Sequence, residues 1–395
     1  MEIAAPAADE TLSGYLDAGG IALVRVDWAG GEHWVLAVEA LEQGNYLVLD
    51  PLFREVAELR KRYDGFNKWS KLVKLEPLPP LPPLPPPPAP PPPAGGELLT
   101  WHIQSYEGAE ELDRYFTETR PRYIKLVEGI EQAYHLHGLS PTSKIGYRHC
   151  VEHQGQYIYH PDGPNAGARA YIATFRDSLE RCAEVVDYIE SINEEIPTHD
   201  DLKLQAVVRF EVAFCQELER IGYPARPVTC TAGVGNPDHG PETALLVPAV
   251  RATIAAGGLL GPHTYTGINA LSGRRTMWDG DWEHYGGRPM ESWDPTFAEH
   301  GLAPSYVFTE GGPIHIAETG NWMNVHGGWQ HPMCLNGDVD KLVEVLLEMR
   351  RRILVWNAGH GDRVLGLCLF TVYGFGWYEF QYPPEVVRRV REALA

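Results

Sequence analysis

Between Pro77 and Pro93 the chain reads PLPPLPPLPPPPAPPPP, with 13 prolines in 17 residues and no charge. Proline fixes its own φ and lacks an amide N–H, so this run can join neither a helix nor a sheet. At such density it holds a polyproline II rod of about 3.1 Å per residue, a semi-rigid spacer of roughly 50 Å. Folded structure must therefore lie on either side of it, in residues 1–76 and 97–395, with 77–96 as linker. Docking of a proline-recognition domain is the other use of such a segment; a spacer between two folded pieces is the reading adopted here.

Charge narrows the partners. The chain carries a net charge of −20, divided as −5 over residues 1–76 and −15 over 97–395, so neither piece hides a basic face in bulk. A partner bound through its phosphates would be repelled, which argues against nucleic acid. No run approaches the roughly 18 apolar residues of a membrane helix. The opening MEIAAPAADE has neither a basic n-region nor an apolar h-region, so a soluble chain without an export signal is expected. Six cysteines, at 150, 182, 215, 230, 334 and 368, form no C-x-x-C and no short Cys/His ladder. They are expected to be small core residues, and the sequence calls for no metal and no cofactor. Eleven Trp and nineteen Tyr suit a carbohydrate ligand, whose flat C–H faces aromatic rings cover.

The first piece reads as strands followed by a short helix. IALVRVDW and HWVLAVEAL are β-rich runs, Gly44-Asn45 makes a turn, YLVLDP is a third strand, and the apolar spacing of FREVAELRKRY predicts a helix. This order resembles the C-terminal half of C39-like, papain-type cysteine peptidase domains. The resemblance covers about 60 residues and puts His33 and Asp50 where that family keeps its catalytic His and orienting Asp. No Cys precedes position 150, and without a thiolate the pair has nothing to activate. An inactive remnant, or half of a domain, is expected.

The second piece alternates apolar strands with amphipathic helices. Strands are expected at Leu98–Gln104, Tyr123–Glu128, Ser143–Cys150, Val185–Asn193, Pro227–Gly233, Leu259–Tyr265, Ser305–Glu310 and Val364–Val372. Near-continuous apolar strands separated by helices imply parallel pairing with both faces covered. Eight such units in about 300 residues predict a (β/α)8 TIM barrel. Function in that fold sits at the C-terminal ends of the strands. There the fourth strand ends Asn193-Glu194-Glu195 and the seventh ends at Glu310. Two facing carboxylates are what acid-assisted glycosidic cleavage needs, although Asn193-Glu194 also suits a helix cap and Glu310 an ordinary loop acid.

Asn-Glu closing strand four with a Glu closing strand seven resembles the clan of retaining (β/α)8 glycoside hydrolases that includes cellulases, β-mannanases and β-galactosidases. The resemblance covers the whole second piece. It implies Glu194 as acid/base, Glu310 as nucleophile and Asn193 as the contact to the sugar 2-hydroxyl. Around them it suggests His263 and Tyr265 from PHTYT, Arg148 and His149 from GYRHC, and Tyr373 and Trp377 from LFTVYGFGW as substrate-binding residues. The expected substrate is an oligo- or polysaccharide with β-linkages, and sugars as substrates favour an extracellular setting. A carbohydrate-binding or adhesion protein whose catalysis has lapsed is the alternative. Glu195 should point away by strand alternation, Glu318 is a less suitable nucleophile, and the Trp-rich loops holding Trp278, Trp282, Trp293, Trp322 and Trp329 are expected to wall the subsites.

Overall fold

A computed structural model describes residues 2–4, 22–28, 31–41, 45–50, 55–58 and 68–71 of the first piece. In the second it describes 96–104, 106, 110–197, 199–233, 236–237, 240–268, 289–319, 322–372 and 377–395. The chain divides into two compact units, Met1–Leu84 and Pro85–Ala395.

The N-terminal unit is an antiparallel sheet of six strands, β1 (Glu2–Ala4), β2 (Ala22–Trp28), β3 (Gly31–Leu41), β4 (Asn45–Asp50), β5 (Glu55–Glu58) and β6 (Lys68–Lys71), in the order β1-β6-β2-β3-β4-β5. Val24, Val35 and Ala37 are fully buried, and the register sets Val24 opposite Val35. Three strands fall where the alternation predicts. The expected helix over FREVAELRKRY does not: Glu55–Glu58 pairs with β4, Val56 opposite Leu49. Lying beside an open sheet edge, this short segment satisfies its backbone by pairing, which outweighs a helical spacing of only a few residues. The polyproline run lies outside the described residues.

In the C-terminal unit eight strands close on themselves. They are β7 (Leu99–Ile103), β8 (Tyr123–Val127), β9 (Lys144–Arg148), β10 (Tyr188–Glu190), β11 (Arg226–Thr229), β12 (Leu259–Leu260), β14 (Tyr306–Thr319) and β16 (Val364–Val372). Each pairs in parallel with the next, β12 pairs with β14 through Leu260 and Tyr306, and β16 returns to β7. The result is the closed parallel barrel of a TIM fold, ringed by helices. The helix Asp201–Ile221 starts where the Asp200 side chain accepts from the Lys203 amide and stops at Gly222, φ 66°. Val339–His360 is bounded in the same way by Asp338 and by Gly361, φ 77°. A final helix, Pro384–Leu394, was not apparent from strand counting. It is tied to the helix Glu110–Thr119 by Arg391, 2.7 Å from Glu118 and 3.4 Å from Glu111. No helix among the described residues is long and apolar enough to cross a membrane.

Strand seven departs from the expectation. It was predicted to stop at Glu310, yet β14 continues to Thr319, flanked by β13 (Thr264–Ile268) in parallel and β15 (Trp322–Gly327) antiparallel. Glu318 is thus on the same strand as Glu310, eight residues further along. The three strands extend beyond the barrel from the rim that bears Glu310. Inside the barrel, the lower layer is apolar: Tyr123, Tyr188, Val228, Leu259, Val307 and Cys368 form one buried cluster, one residue from each of six strands. Gly146 on β9 makes room for it, since a side chain there would run into the Tyr123 hydroxyl.

Candidate active site

Above that layer the inward-facing positions turn polar. Strand alternation carries β7 to His102, β8 to Lys125, β9 to Arg148 and β10 to Glu190, while irregular register between β14 and β16 around Phe308 and Gly311 brings Glu310, three residues after Val307, to the same level; all five are buried. Glu310 is at the centre. Arg148 Nη1 donates to its Oε1 at 2.7 Å and the Tyr265 hydroxyl to its Oε2 at 3.0 Å. His263 Nδ1 lies 3.6 Å from Oε2, and His102 Nδ1 and Lys125 Nζ lie 3.6 and 3.7 Å from Oε1. Burial alone would push this carboxyl up, but its neighbours, foremost His263, Arg148 and Lys125, outweigh it and hold Glu310 well below the usual carboxylate range. Burial, helped by Glu310 and Glu194, pushes the Tyr265 phenol well up, so it stays a neutral donor. Burial likewise opposes the charge on Arg148, but Glu310 and Glu190 overcome it and keep the guanidinium charged.

Glu194 is placed differently. After β10 the chain bridges to the segment following β11 through Asn193 and Thr231, and the Glu194 amide donates to Thr231 O at 2.8 Å. Gln154 clamps Asn193 on both backbone groups, accepting from its N–H at 2.6 Å and donating to its carbonyl at 3.0 Å. Arg148 Nη1 also donates to Asn193 Oδ1 at 2.6 Å, so one guanidinium organises both strand ends. Glu194 itself has φ 56°, a left-handed conformation that costs about 1 kcal/mol or more in a residue with a side chain. The clamps on either side sustain that turn. Its side chain is half exposed, with Oε1 3.0 Å from His263 Nδ1.

One ligand atom each of Glu194, His263 and Glu310 falls within 4.8 Å of the others, the one group of this kind among the described residues that could hold a metal ion. Arg148 at 2.7 Å and Lys125 at 3.7 Å from Glu310 already occupy its field with positive charge, which disfavours a cation there. The arrangement instead suits two carboxylates of opposite character. One is buried, anionic and held from several sides; the other is open to exchange protons with solvent. They border a cleft of about 590 Å³ whose walls include Ile314, Phe370, Trp377, Tyr378 and Phe380.

Most of the residues anticipated from the sequence converge here: Asn193, Glu194, Arg148, His263, Tyr265 and Glu310. Trp377 is on the cleft wall, 48% exposed, with its ring edge-on to Phe370 at 5.4 Å. His149 does not join them. Alternation on β9 that points Arg148 inward turns His149 outward, where its Nδ1 is 2.9 Å from Glu128 and its ring packs on Phe175. Tyr373 lies outside the described residues. Glu195 points away, as expected, to Lys203 Nζ at 3.0 Å. The Trp residues correct the subsite-wall expectation where they are described. Trp293 is buried against Phe297, and Trp329 stacks on Tyr382 and donates Nε1 to Gln381 O. Both are core residues, because their rings found apolar neighbours under the loops. Trp278, Trp282 and the Trp322 side chain lie outside the described set. Missed from the sequence were His102, Lys125, Glu190 and Gln154. A lone charge inside an apolar strand, as in YIKLV and DYIES, was the signal that could have found two of them.

No protein-family model matches the chain, and a search of curated proteins finds no match. Among solved structures the chain is similar to an endo-1,4-β-xylanase from Caldicellulosiruptor owensensis, with a TM-score of 0.46 and 8% identity over 70% of this chain and 86% of that one. It is similar to a β-glucosidase from Exiguobacterium marinum, with a TM-score of 0.41 and 10% identity over 73% of this chain and 87% of the other. A β-mannanase of Thermomonospora fusca, solved with mannotriose, gives 0.36 and 12% over 71% and 82%. These likenesses are distant and concern the fold alone.

Proposed function

We propose that the C-terminal unit is a retaining glycoside hydrolase that cleaves β-glycosidic bonds of an oligo- or polysaccharide. The observation that carries this reading is the pair Glu194 and Glu310, with an oxygen of each within 4.8 Å at the C-terminal mouth of the barrel. Retaining enzymes hold their two carboxyl groups about 5 to 5.5 Å apart, close enough for one to reach the anomeric carbon with no water between. In this reading Glu310, kept anionic by Arg148 and its neighbours, attacks the anomeric carbon. Glu194 gives its proton to the departing glycosidic oxygen, then takes one from the water that hydrolyses the glycosyl ester. A half-exposed carboxyl suits that double duty, since it exchanges protons twice in each cycle. Asn193 is available to a sugar hydroxyl beside the pair, while Trp377, Tyr378 and Phe380 offer faces for sugar rings. The chemistry calls for no cofactor.

A screen of aryl β-glycosides and β-linked polysaccharides tests the activity, and proton NMR of the first product formed tests its stereochemistry. A β-configured product that mutarotates later supports the reading; an α-configured first product overturns retention. For the N-terminal unit the reading is an inactive papain-type remnant joined by the 77–96 spacer. It rests on His33 in β3 and Asp50 in the neighbouring β4, with no cysteine in residues 1–76.

A further inference from the structure

Beneath the carboxylate pair lies a charge pair that the reaction above does not use. Lys125 and Glu190 are both fully buried, with Lys125 Nζ 3.0 Å from Glu190 Oε2. The same ammonium donates to the carbonyl of Thr309 at 2.9 Å, the residue before Glu310, and lies 3.7 Å from Glu310 Oε1. Bringing two charges into a barrel interior is costly, and hydrophobic side chains of similar volume often serve stability as well or better. The apolar layer directly below is filled in that way.

From this geometry we infer that Lys125 and Glu190 are positioning residues, a counter-ion pair that fixes Glu310 and keeps the interior balanced when Glu310 gives up its charge to the sugar. The inference rests on the glycosidase reading for its kinetic part. Before attack, two buried cations, Lys125 and Arg148, face two buried anions, Glu190 and Glu310. In the covalent step an electron pair of Glu310 forms the bond to the anomeric carbon. The glycosidic C–O bond breaks toward the leaving oxygen, which takes the proton of Glu194. The negative charge therefore moves from the buried Glu310 to the half-exposed Glu194, beside His263. Lys125 would be left without a near anion if Glu190 were neutral; with Glu190 present its partner is unchanged. Its hydrogen bond to Thr309 O meanwhile holds the backbone from which the nucleophile projects.

The other groups around Glu310 do not replace this pair. His102 on β7 is held well below the ordinary imidazole value, by burial first and then by Lys125, and is neutral. Arg148 on β9 is shared with Asn193. Burial pushes the Cys368 thiol on β16 up, and the Tyr265 phenol is a neutral donor. His263 lies between Glu194 and Glu310. Glu194 itself belongs to the reacting pair.

The test uses the full chain and two variants. Lys125→Met with Glu190→Gln removes both charges together, which leaves no lone buried ion. The ionisation of Glu310 is followed by isotope-edited infrared spectroscopy, its band assigned by loss in Glu310→Gln. With the nearby ammonium gone, its protonation midpoint should rise by about 1 pH unit or more. Glu190→Gln alone leaves Lys125 with Glu310 as its nearest anion. Single-turnover glycosylation by a dinitrophenyl β-glycoside should then slow by about tenfold or more, with hydrolysis of the ester changed less. A folded double variant whose Glu310 midpoint matches the wild type overturns the inference. Should that variant not fold, an unchanged glycosylation rate in Glu190→Gln overturns it alone. The infrared measurement needs no turnover: a shifted midpoint in a protein that cleaves no β-glycoside would sink the glycosidase reading while leaving the pairing of Lys125 with Glu310 intact.

Discussion

The lower and upper halves of the barrel interior belong to one ring of strands, with β8, β10 and β14 contributing to both, yet they are filled in opposite ways. Below, Tyr123, Tyr188, Val228, Leu259, Val307 and Cys368 close the barrel with apolar volume. Above, His102, Lys125, Arg148, Glu190 and Glu310 bring charge and ring nitrogens into positions almost wholly shut from water. A step of two residues along one strand crosses from one to the other, Tyr123 to Lys125 on β8 and Tyr188 to Glu190 on β10. The difference separates two tasks. The lower layer gains free energy by burial, about 1.5 to 3 kcal/mol for each large apolar side chain. The upper layer forgoes much of that gain to hold one carboxylate ionised where burial opposes it.

The comparison breaks most visibly at the carboxylates. On the proposed reading Glu310 is the nucleophile, so Glu310→Ala should lower kcat/KM by about four orders of magnitude or more on every substrate. Azide should restore turnover with an α-configured glycosyl azide. Glu194→Ala should spare much of the first step on dinitrophenyl glycosides, whose leaving group needs little protonation, and azide should then give the β-configured product. An exchange of the two configurations would mean that the half-exposed residue, not the buried one, is the nucleophile.

The lower layer should respond in stability instead. Leu259→Ala is expected to cost about 2 to 5 kcal/mol in chemical denaturation, with kcat/KM of the folded fraction changed little. Loss of turnover in proportion to the catalytic variants would show that the two layers are not separable.

Glu211 sharpens the contrast from outside the barrel. On the helix Asp201–Ile221 it accepts from Ser191 Oγ at 2.8 Å and from the Cys230 amide at 3.3 Å, two strands that lead to the site. Burial pushes its carboxyl up to about 8, against the lowering effect of those two donors. With the folded value above the unfolded one, its contribution to stability is fully present below about pH 4.3 and is lost as pH rises through 8. Glu211→Gln should therefore stabilise the protein at neutral and alkaline pH by about 1 to 3 kcal/mol, a gain that grows from pH 5 toward 8 in thermal melts. Glu310 has the opposite sign. Its lowered value adds stability above the unfolded carboxylate range that is lost only as pH falls well below it.

The smallest effect is expected on the cleft wall. Trp377 is 48% exposed, and its removal by Trp377→Ala should raise KM by about tenfold at nearly constant kcat, the signature of lost uniform binding. A fall in kcat with KM unchanged would instead place this ring against the transition state.

Much of this protein was determined by local pattern. Thirteen prolines in 17 residues rule out helix and sheet between Pro77 and Pro93 whatever surrounds them. Eight apolar strands spaced by amphipathic helices leave few alternatives to a closed parallel barrel. Once the barrel is granted, polar strand ends point to Glu194 and Glu310, because the fold fixes which end of a strand faces the mouth. What alternation decides residue by residue needed the register. His149 follows Arg148 yet faces the helices, and a one-residue difference in phase would have exchanged them. The same holds for Lys125 and Glu190, far apart in sequence and brought to 3.0 Å by the parallel pairing of β8 and β10 on either side of β9. Strand ends, too, were legible only in part: β14 runs past Glu310 because β13 and β15 supply partners for its backbone. The helix expected near Glu55 became an edge strand because β4 was there to pair with it. Local sequence sets what a segment can form and which residues carry chemistry. Only the tertiary structure decides which face each side chain takes and which charges meet, because those depend on neighbours that the chain supplies from a distance.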